Sequence, residues 1–261
     1  MLELKENQGI RSIAAVSNNH RSEAGSAYRP SCTGCIAKEI SACAGYTENR
    51  FSTRDSGQSG EVPSTGQLYP ARRPIVHHRE IAEYVPIVCT GWAMSALLAQ
   101  DGKRQIVSFV LSGDIAAANY IFEPCSGRTV EAISEVYCRK FKRTEFQTTL
   151  QDHRAGKAAL ANLLMKERVA SDQLRLDLGR SAETRIARLI LNLAARLKTK
   201  GSADDSFDFP LRQQHIADAT GLTTVHVCKI LSRMRAAGVI TTSARRLRIL
   251  DRGTLQEIAD Q

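Results

Sequence analysis

Leu211-Arg-Gln-Gln-His-Ile-Ala-Asp-Ala-Thr-Gly-Leu-Thr-Thr-Val-His-Val-Cys-Lys-Ile-Leu-Ser-Arg-Met-Arg-Ala-Ala-Gly238 is the stretch on which the fold turns. Ile216 and Ala217 give an apolar face to a first helix over Leu211–Ala219. Thr220-Gly-Leu-Thr223 follows as a turn, where Gly221 takes a positive φ without a Cβ penalty. Thr223 or Thr224 caps a second helix that runs to about Ala237 and stops at Gly238. Helix, glycine turn and helix in that order is the helix-turn-helix plan. Val227, Ile230, Leu231 and Met234 form the buried face of the second helix. Val225, His226, Cys228, Lys229, Ser232, Arg233 and Arg235 form the other. Two short strands follow, Val239–Thr242 and Leu247–Leu250, joined by Ser243-Ala-Arg-Arg246 as a wing.

Charge supports a nucleic-acid partner for this module. The chain carries a formal charge of +9, and residues 211–261 hold eight Lys/Arg against four Asp/Glu. Phosphates reward clustered cations through counterion release. The start of a recognition helix reaches base edges, and flanking residues grip the backbone. Val225, Cys228 and Lys229 therefore face the bases, Val225 suiting a thymine methyl and Lys229 guanine acceptors, and His226 beside them also belongs to the DNA-binding set. Thr224, Arg233, Arg245 and Arg246 go to phosphate.

Upstream, Ile186, Leu189, Ile190, Leu193, Ala194 and Leu197 recur at helical spacing after Ser181, so one face of that helix is buried. Residues 152–178 are rich in Ala, Leu, Lys, Glu and Arg, with a loose stripe of Leu160, Leu163, Leu164, Val169, Leu174 and Leu178. That helix either packs on its own domain or pairs with a second copy; its length and position between two domains favour pairing. From about 75 to 147, short apolar runs broken by Asp101-Gly102 and Ser112-Gly-Asp114 fit a small β-barrel or roll. Residues 47–74, rich in Ser, Thr, Gly, Arg and Pro, read as loop, and residues 1–30 as a poorly ordered arm. The division is thus 1–30, a cysteine-bearing sensory domain at 31–150, a dimerisation helix at 151–180, and a winged helix-turn-helix domain at 181–261.

Seven cysteines stand in the chain, three of them as Cys32, Cys35 and Cys43 with the spacing C-x2-C-x7-C. No signal-peptide h-region or membrane-length apolar run appears, which predicts a cytoplasmic protein with reduced thiols. Three close thiolates can share a metal centre, with a fourth ligand from Cys89, Cys125 or Cys138. Structural zinc and an iron–sulfur cluster fit this spacing equally. Catalysis is not expected: there is no Ser/His/Asp array, P-loop or dinucleotide fingerprint, and His77-His78 is the only close histidine pair.

These features together resemble the Crp/Fnr superfamily of bacterial regulators, and within it the oxygen-sensing FNR, FnrN and FixK branch. The resemblance runs from about residue 30 to 261. It rests on Cys32-Thr-Gly-Cys35 with Cys43, Gln105–Asp114, Glu131–Cys138, Ser181–Arg188 and the helix-turn-helix. It implies an α+β fold: a cyclic-nucleotide-binding-like β-roll, a long dimerisation helix and a C-terminal winged helix-turn-helix. It further implies a [4Fe-4S] cluster on Cys32, Cys35, Cys43 and Cys138, an activator homodimer on a palindromic DNA operator, RNA polymerase as partner, and regulation of processes such as nitrogen fixation. Oxygen would dismantle the cluster and separate the subunits. Asp172 matches an acidic residue of the dimer helix, facing its twin and acting as a dimer switch. A zinc-stabilised or metal-free regulator answering to thiol oxidation at Cys228, or to a small effector, is the alternative.

Two departures matter. FNR-type recognition helices carry Glu, Ser and Arg where Val225, Cys228 and Lys229 stand, so the usual operator is not implied. The family's nucleotide site needs a Gly-Glu pair for the ribose, and Ala116-Ala-Ala118 stands there, although Arg128-Thr129 is present.

Overall fold

The computed structural model describes residues 35–39, 63–99, 102–123, 125–152, 154–198 and 205–261. Cys32, Cys43 and the arm at 1–30 lie outside the described residues. Among the described residues a short helix, α1 (Ile36–Glu39), comes first, and seven strands of the N-terminal half follow it in chain order. These are β1 (Ser64–Tyr69), β2 (Pro74–Val76), β3 (Tyr84–Thr90), β4 (Ala93–Leu98), β5 (Arg104–Val110), β6 (Thr129–Ala132) and β7 (Val136–Lys142). They form two antiparallel sheets, ordered β1-β7-β3 and β2-β6-β4-β5. Val85, Ile87, Val110, Val130, Val136, Cys138 and Phe141 are among the residues of the core they share. The roll expected from the short apolar runs is present.

Strand β1 corrects the reading of 47–74 as loop. Ser64-Thr-Gly-Gln-Leu-Tyr69 lacks a run of apolar residues, yet it pairs with β7 along its whole length, from Ser64↔Phe141 to Tyr69↔Val136. At Gly66 the Tyr137 ring crosses β1, and a Cβ there would push its hydroxyl aside.

Helix α2 (Arg143–Asp152) closes the roll, burying Phe146 against Phe141 and Leu150 in the core. The sequence reading had not separated it from the roll. It leads into α3 (Arg154–Asp177), the long helix, and α4 (Ala182–Lys198). The terminal module follows as β8 (Ser206–Asp208), α5 (Gln213–Thr220), α6 (Thr224–Ala236), β9 (Ile240–Ser243), β10 (Arg246–Ile249) and α7 (Arg252–Asp260). Helix α7, also not foreseen, packs on α4. Its N-cap Asp251 accepts the backbone N–H and hydroxyl of Thr254.

The reading module does not hang free of the roll. Trp92, Met94, Ile106, Phe109, Leu111 and Ile133 join the core made by α4, α5, α6 and the wing. Arg104 on β5 donates from Nε and Nη2 to Asp218 on α5, at 3.0 and 2.9 Å, and also faces Glu131 at 3.6 Å. No helix among the described residues is long and apolar enough to cross a membrane.

Candidate nucleic-acid interface and cysteine corner

The helix-turn-helix forms as its residues dictate. Gly221 ends α5 at φ +68°, and its N–H bonds to the Ala217 carbonyl. Thr223 caps α6: its hydroxyl accepts the His226 N–H at 3.2 Å. Val227, Ile230, Leu231 and Met234 are buried against α4 and the wing. That fixes which face of α6 turns outward. Val225 is 63% exposed, a position no apolar side chain takes for the sake of the core.

An open groove of about 740 Å³ runs along this face, lined by Gln213, Thr224, Val225, Cys228, Lys229, Ser232 and Arg233. Five of the eight residues expected to contact DNA therefore share one surface. His226 is exposed beside it. Gln213 was not foreseen, because nothing in the sequence singles out the first residue of α5. Arg233 bonds Glu183 of α4 at 3.0 Å, so the cation is held by a carboxylate in the absence of phosphate. Arg235 ties α6 to the wing by donating to the Thr242 hydroxyl, and it also donates to Ser232 on its own helix.

The wing turns on Ala244 and Arg245, both at positive φ (47° and 62°), the pattern of a two-residue type I′ hairpin. Arg245 is exposed at its tip. Arg246 pairs with Asp208 of β8 at 3.2 Å, so of the two wing cations it is the one already engaged within the fold.

At the other end of the molecule, two of the four cysteines expected as metal ligands are described. Cys138 on β7 is fully buried, and burial first, then the neighbouring Cys89, holds its thiol well above the usual range, with Lys140 pulling it down. Cys35 is half-buried at the start of α1 and lies against Gly113, whose Cβ, if present, would be 3.4 Å from the Cys35 Cα. Gly113 donates to the Val88 carbonyl at 2.7 Å, and Val88 is the register partner of Cys138. The Ser112–Asp114 turn is thus bordered by Cys35 on one side and by the strand pair carrying Cys138 on the other. Cys125 is exposed and bridges to Ile81. Among the described residues no three His, Cys, Asp or Glu side chains form a metal-holding group. The donor chemistry still suits a cluster, since a metal supplies the positive charge that a thiolate buried like Cys138 otherwise lacks.

Helix α1 packs on α3, and Ala159 and Leu163 of α3 belong with the roll core. Further along, Met165, Val169 and Leu176 are exposed at spacings of four and seven residues, with Asp172 between the last two. Asp172 lies 3.9 Å from Arg168 and 3.4 Å from Arg175 on the same helix. At the family's nucleotide position, Ala116 and Ala117 are buried in the roll core.

Comparison with known proteins agrees with this architecture. The Crp-like helix-turn-helix domain family matches residues 184–258, and the cyclic nucleotide-binding domain family matches residues 67–153. The nitrogen fixation regulation protein FixK of Azorhizobium caulinodans is 30% identical over 201 residues, covering 74% of this chain and 79% of that protein. The transcriptional activator protein FnrL of Cereibacter sphaeroides is 29% identical over 225 residues, covering 82% and 86%. The solved structure of FixK2 from Bradyrhizobium japonicum superposes with a TM-score of 0.66 at 28% identity, covering 75% of this chain and 96% of that one.

Proposed function

This chain belongs to the Crp/Fnr family of DNA-binding transcription regulators, and from that premise we propose that it senses oxygen through a [4Fe-4S] cluster on Cys32, Cys35, Cys43 and Cys138. Members of this family act as dimers and are not enzymes. The observation that carries the sensing role is the buried Cys138 thiol, with Cys35 held across the Ser112–Asp114 turn. A cluster bound there supplies an oxygen-labile redox centre. The chain's own residues do the rest. Cys138 fixes one ligand in the rigid roll, and the segment bearing Cys35 packs through α1 on α3, so a change in how that segment is held reaches α3 directly.

Helix α3 is the dimer seam. Met165, Val169, Asp172 and Leu176 follow a four-three-four spacing, the a/d pattern of paired helices. Asp172 puts a carboxylate in that seam opposite its twin, and Arg168 and Arg175 temper the repulsion. The pairing is therefore weak enough to be switched. On DNA, Val225, His226, Cys228 and Lys229 face base edges, while Thr224, Gln213, Arg233, Arg245 and Arg246 face phosphate on a palindromic operator.

Anaerobic purification tests the sensor. Broad visible absorption with about four irons per subunit is expected, fading in air together with DNA affinity, and absent after Cys138→Ala. Colourless anaerobic protein carrying zinc overturns the reading. For the reader, Lys229→Ala should cost about 1–3 kcal/mol on the preferred duplex and relax the choice at one base pair.

A second reading puts the switch on Cys228, which lines the groove, where oxidation would obstruct contact with bases. Peroxide sensitivity that survives Cys228→Ala overturns it.

A further inference from the structure

We propose that the Ser112–Asp114 turn is a second output of the cysteine corner, joined by Asp114 and Arg196 to the recognition helix without passing through the dimer seam. This rests on the reading of Cys35 as a sensing residue.

The turn is clamped from every side. The Ser112 hydroxyl donates to the Cys89 carbonyl at 2.6 Å, Gly113 N–H to the Val88 carbonyl at 2.7 Å, and Val88 N–H to the Asp114 carbonyl at 2.9 Å. Cys35 flanks its outer side: a Cβ built on Gly113 would lie 3.4 Å from the Cys35 Cα and 3.5 Å from its Cβ. A displacement of Cys35 towards the roll by more than the room of one methyl group meets the Gly113 backbone rather than a flexible side chain.

Asp114 carries the contact onward. One carboxylate oxygen, Oδ2, accepts the Leu111 N–H at 2.8 Å and Arg196 Nη2 at 2.6 Å. A single atom thus reads the shape of the turn and holds the last turn of α4. Charge-assisted bonds of this kind are short, directional and stronger than neutral ones. Both groups are about one-third exposed, so solvent weakens the pair without dissolving it.

Helix α4 is a suitable rod. Ile186, Ala187, Ile190, Leu193, Ala194 and Leu197 bury one whole face of it. Its far end touches the reader twice: Glu183 holds Arg233 of α6 at 3.0 Å, and Arg185 donates to the Thr220 carbonyl in the helix-turn-helix turn at 2.7 Å. From Arg196 to Glu183 the rod covers about 20 Å at 1.5 Å per residue. Packed cores shift between discrete arrangements rather than bending smoothly, so a move at Arg196 is felt at Arg233.

Binding linkage is reciprocal, which gives a test that needs no cluster. In the metal-free full-length chain, the alkylation rate of Cys35 by iodoacetamide is followed by mass spectrometry, with and without a saturating duplex selected by the protein from a random pool. Duplex is expected to change the wild-type rate at least about fivefold, the low end of ordinary coupling. Arg196→Gln and Asp114→Asn should each bring that ratio close to one, with no change in the mass of the duplex-bound complex, and the double variant should add nothing. Arg196→Lys, which keeps the charge, should retain most of the wild-type ratio and guards against a folding artefact. A wild-type rate indifferent to duplex, or a ratio unaltered in Arg196→Gln, overturns the proposal. Failure of the oxygen-sensing reading shows separately, in metal content and absorption.

Discussion

Helices α3 and α4 are neighbours in the chain and opposites in packing. Helix α4 has 17 residues and buries Thr184, Ile186, Ala187, Ile190, Leu193, Ala194 and Leu197 within its own subunit. Helix α3 has 24 residues and leaves Leu164, Met165, Val169 and Leu176 largely in solvent. Both are amphipathic, so composition does not separate them. What separates them is where the partner face lies. For α4 it is α5, α6 and α7 of the same chain; for α3 beyond Leu163 it is, on the proposal above, a second copy. One helix is an internal beam of the reader, and the other carries an exposed apolar stripe that the proposed dimer would cover.

The largest test of this contrast strikes α4. Ile186→Ala removes a fully buried side chain and should cost about 2–5 kcal/mol of reader stability, read by denaturant unfolding. Should the loss be negligible, α4 is not the beam described. Val169→Glu makes the opposite cut: it should weaken self-association at least tenfold, about 1.4 kcal/mol, in sedimentation experiments. The unfolding midpoint of the reader should stay where it was, because Val169 is 59% exposed. A stable dimer of this variant would remove α3 from the interface.

Two smaller effects sharpen the picture within the reader. Thr223→Ala removes the cap of α6 and should cost about 1 kcal/mol, with weaker DNA binding in proportion. His215 gives a pH signature. Its pKa lies below the ordinary 6.5, through burial first, then Arg104 and Arg212, with Arg72 adding and Asp218 opposing. Its neutral Nδ1 accepts the Arg212 N–H at 3.1 Å. The unfolded chain binds the proton first, so stability is complete above pH 6.5 and falls as pH drops below it towards the folded pKa. His215→Gln should flatten that slope in thermal melts recorded across the same range.

The reader was legible in the sequence because its signals are local. Gly221, the Thr223 cap and the Val227-Ile230-Leu231-Met234 face all lie within 14 residues, and the structure uses each as expected. Strand β1 was not legible, since its reason for existing is β7, about seventy residues away, and not its own pattern. Helix α2 is disguised by Thr148 and Thr149, whose hydroxyls bond back to the carbonyls of Thr144 and Glu145, a habit that reads as turn chemistry. Helix α7 does carry a local signal, the Asp251-x-x-Thr254 cap, but its nine residues are too short for a clear apolar period. In the sites, Gln213 and Glu183 could be found only by folding the chain, because each matters through a helix other than its own. Cys35 and Cys138 illustrate the limit from the other side. Resemblance named them as partners, yet their placement about the Ser112–Asp114 turn depends on three strands and a loop that no spacing encodes.

Gly156 stands at the root of α3. A Cβ there would lie 2.4 Å from the carbonyl oxygen of Leu150 and 2.8 Å from its Cα, so the two helices meet backbone to backbone. Helix α2 is itself pinned to the roll by Arg143, which donates to the Tyr120 carbonyl at 2.7 Å, and by Gln147, which donates to Ile121. The long helix therefore starts from a tight backbone contact and is held to the roll as far as Leu163. At about 1.5 Å per residue it extends about 36 Å. A tilt of only about 10° at such a root sweeps its tip through about 6 Å, close to two base-pair steps of duplex. In the proposed dimer, the spacing at which two readers meet the groove would thus depend on a hydrogen atom where any other residue carries a carbon.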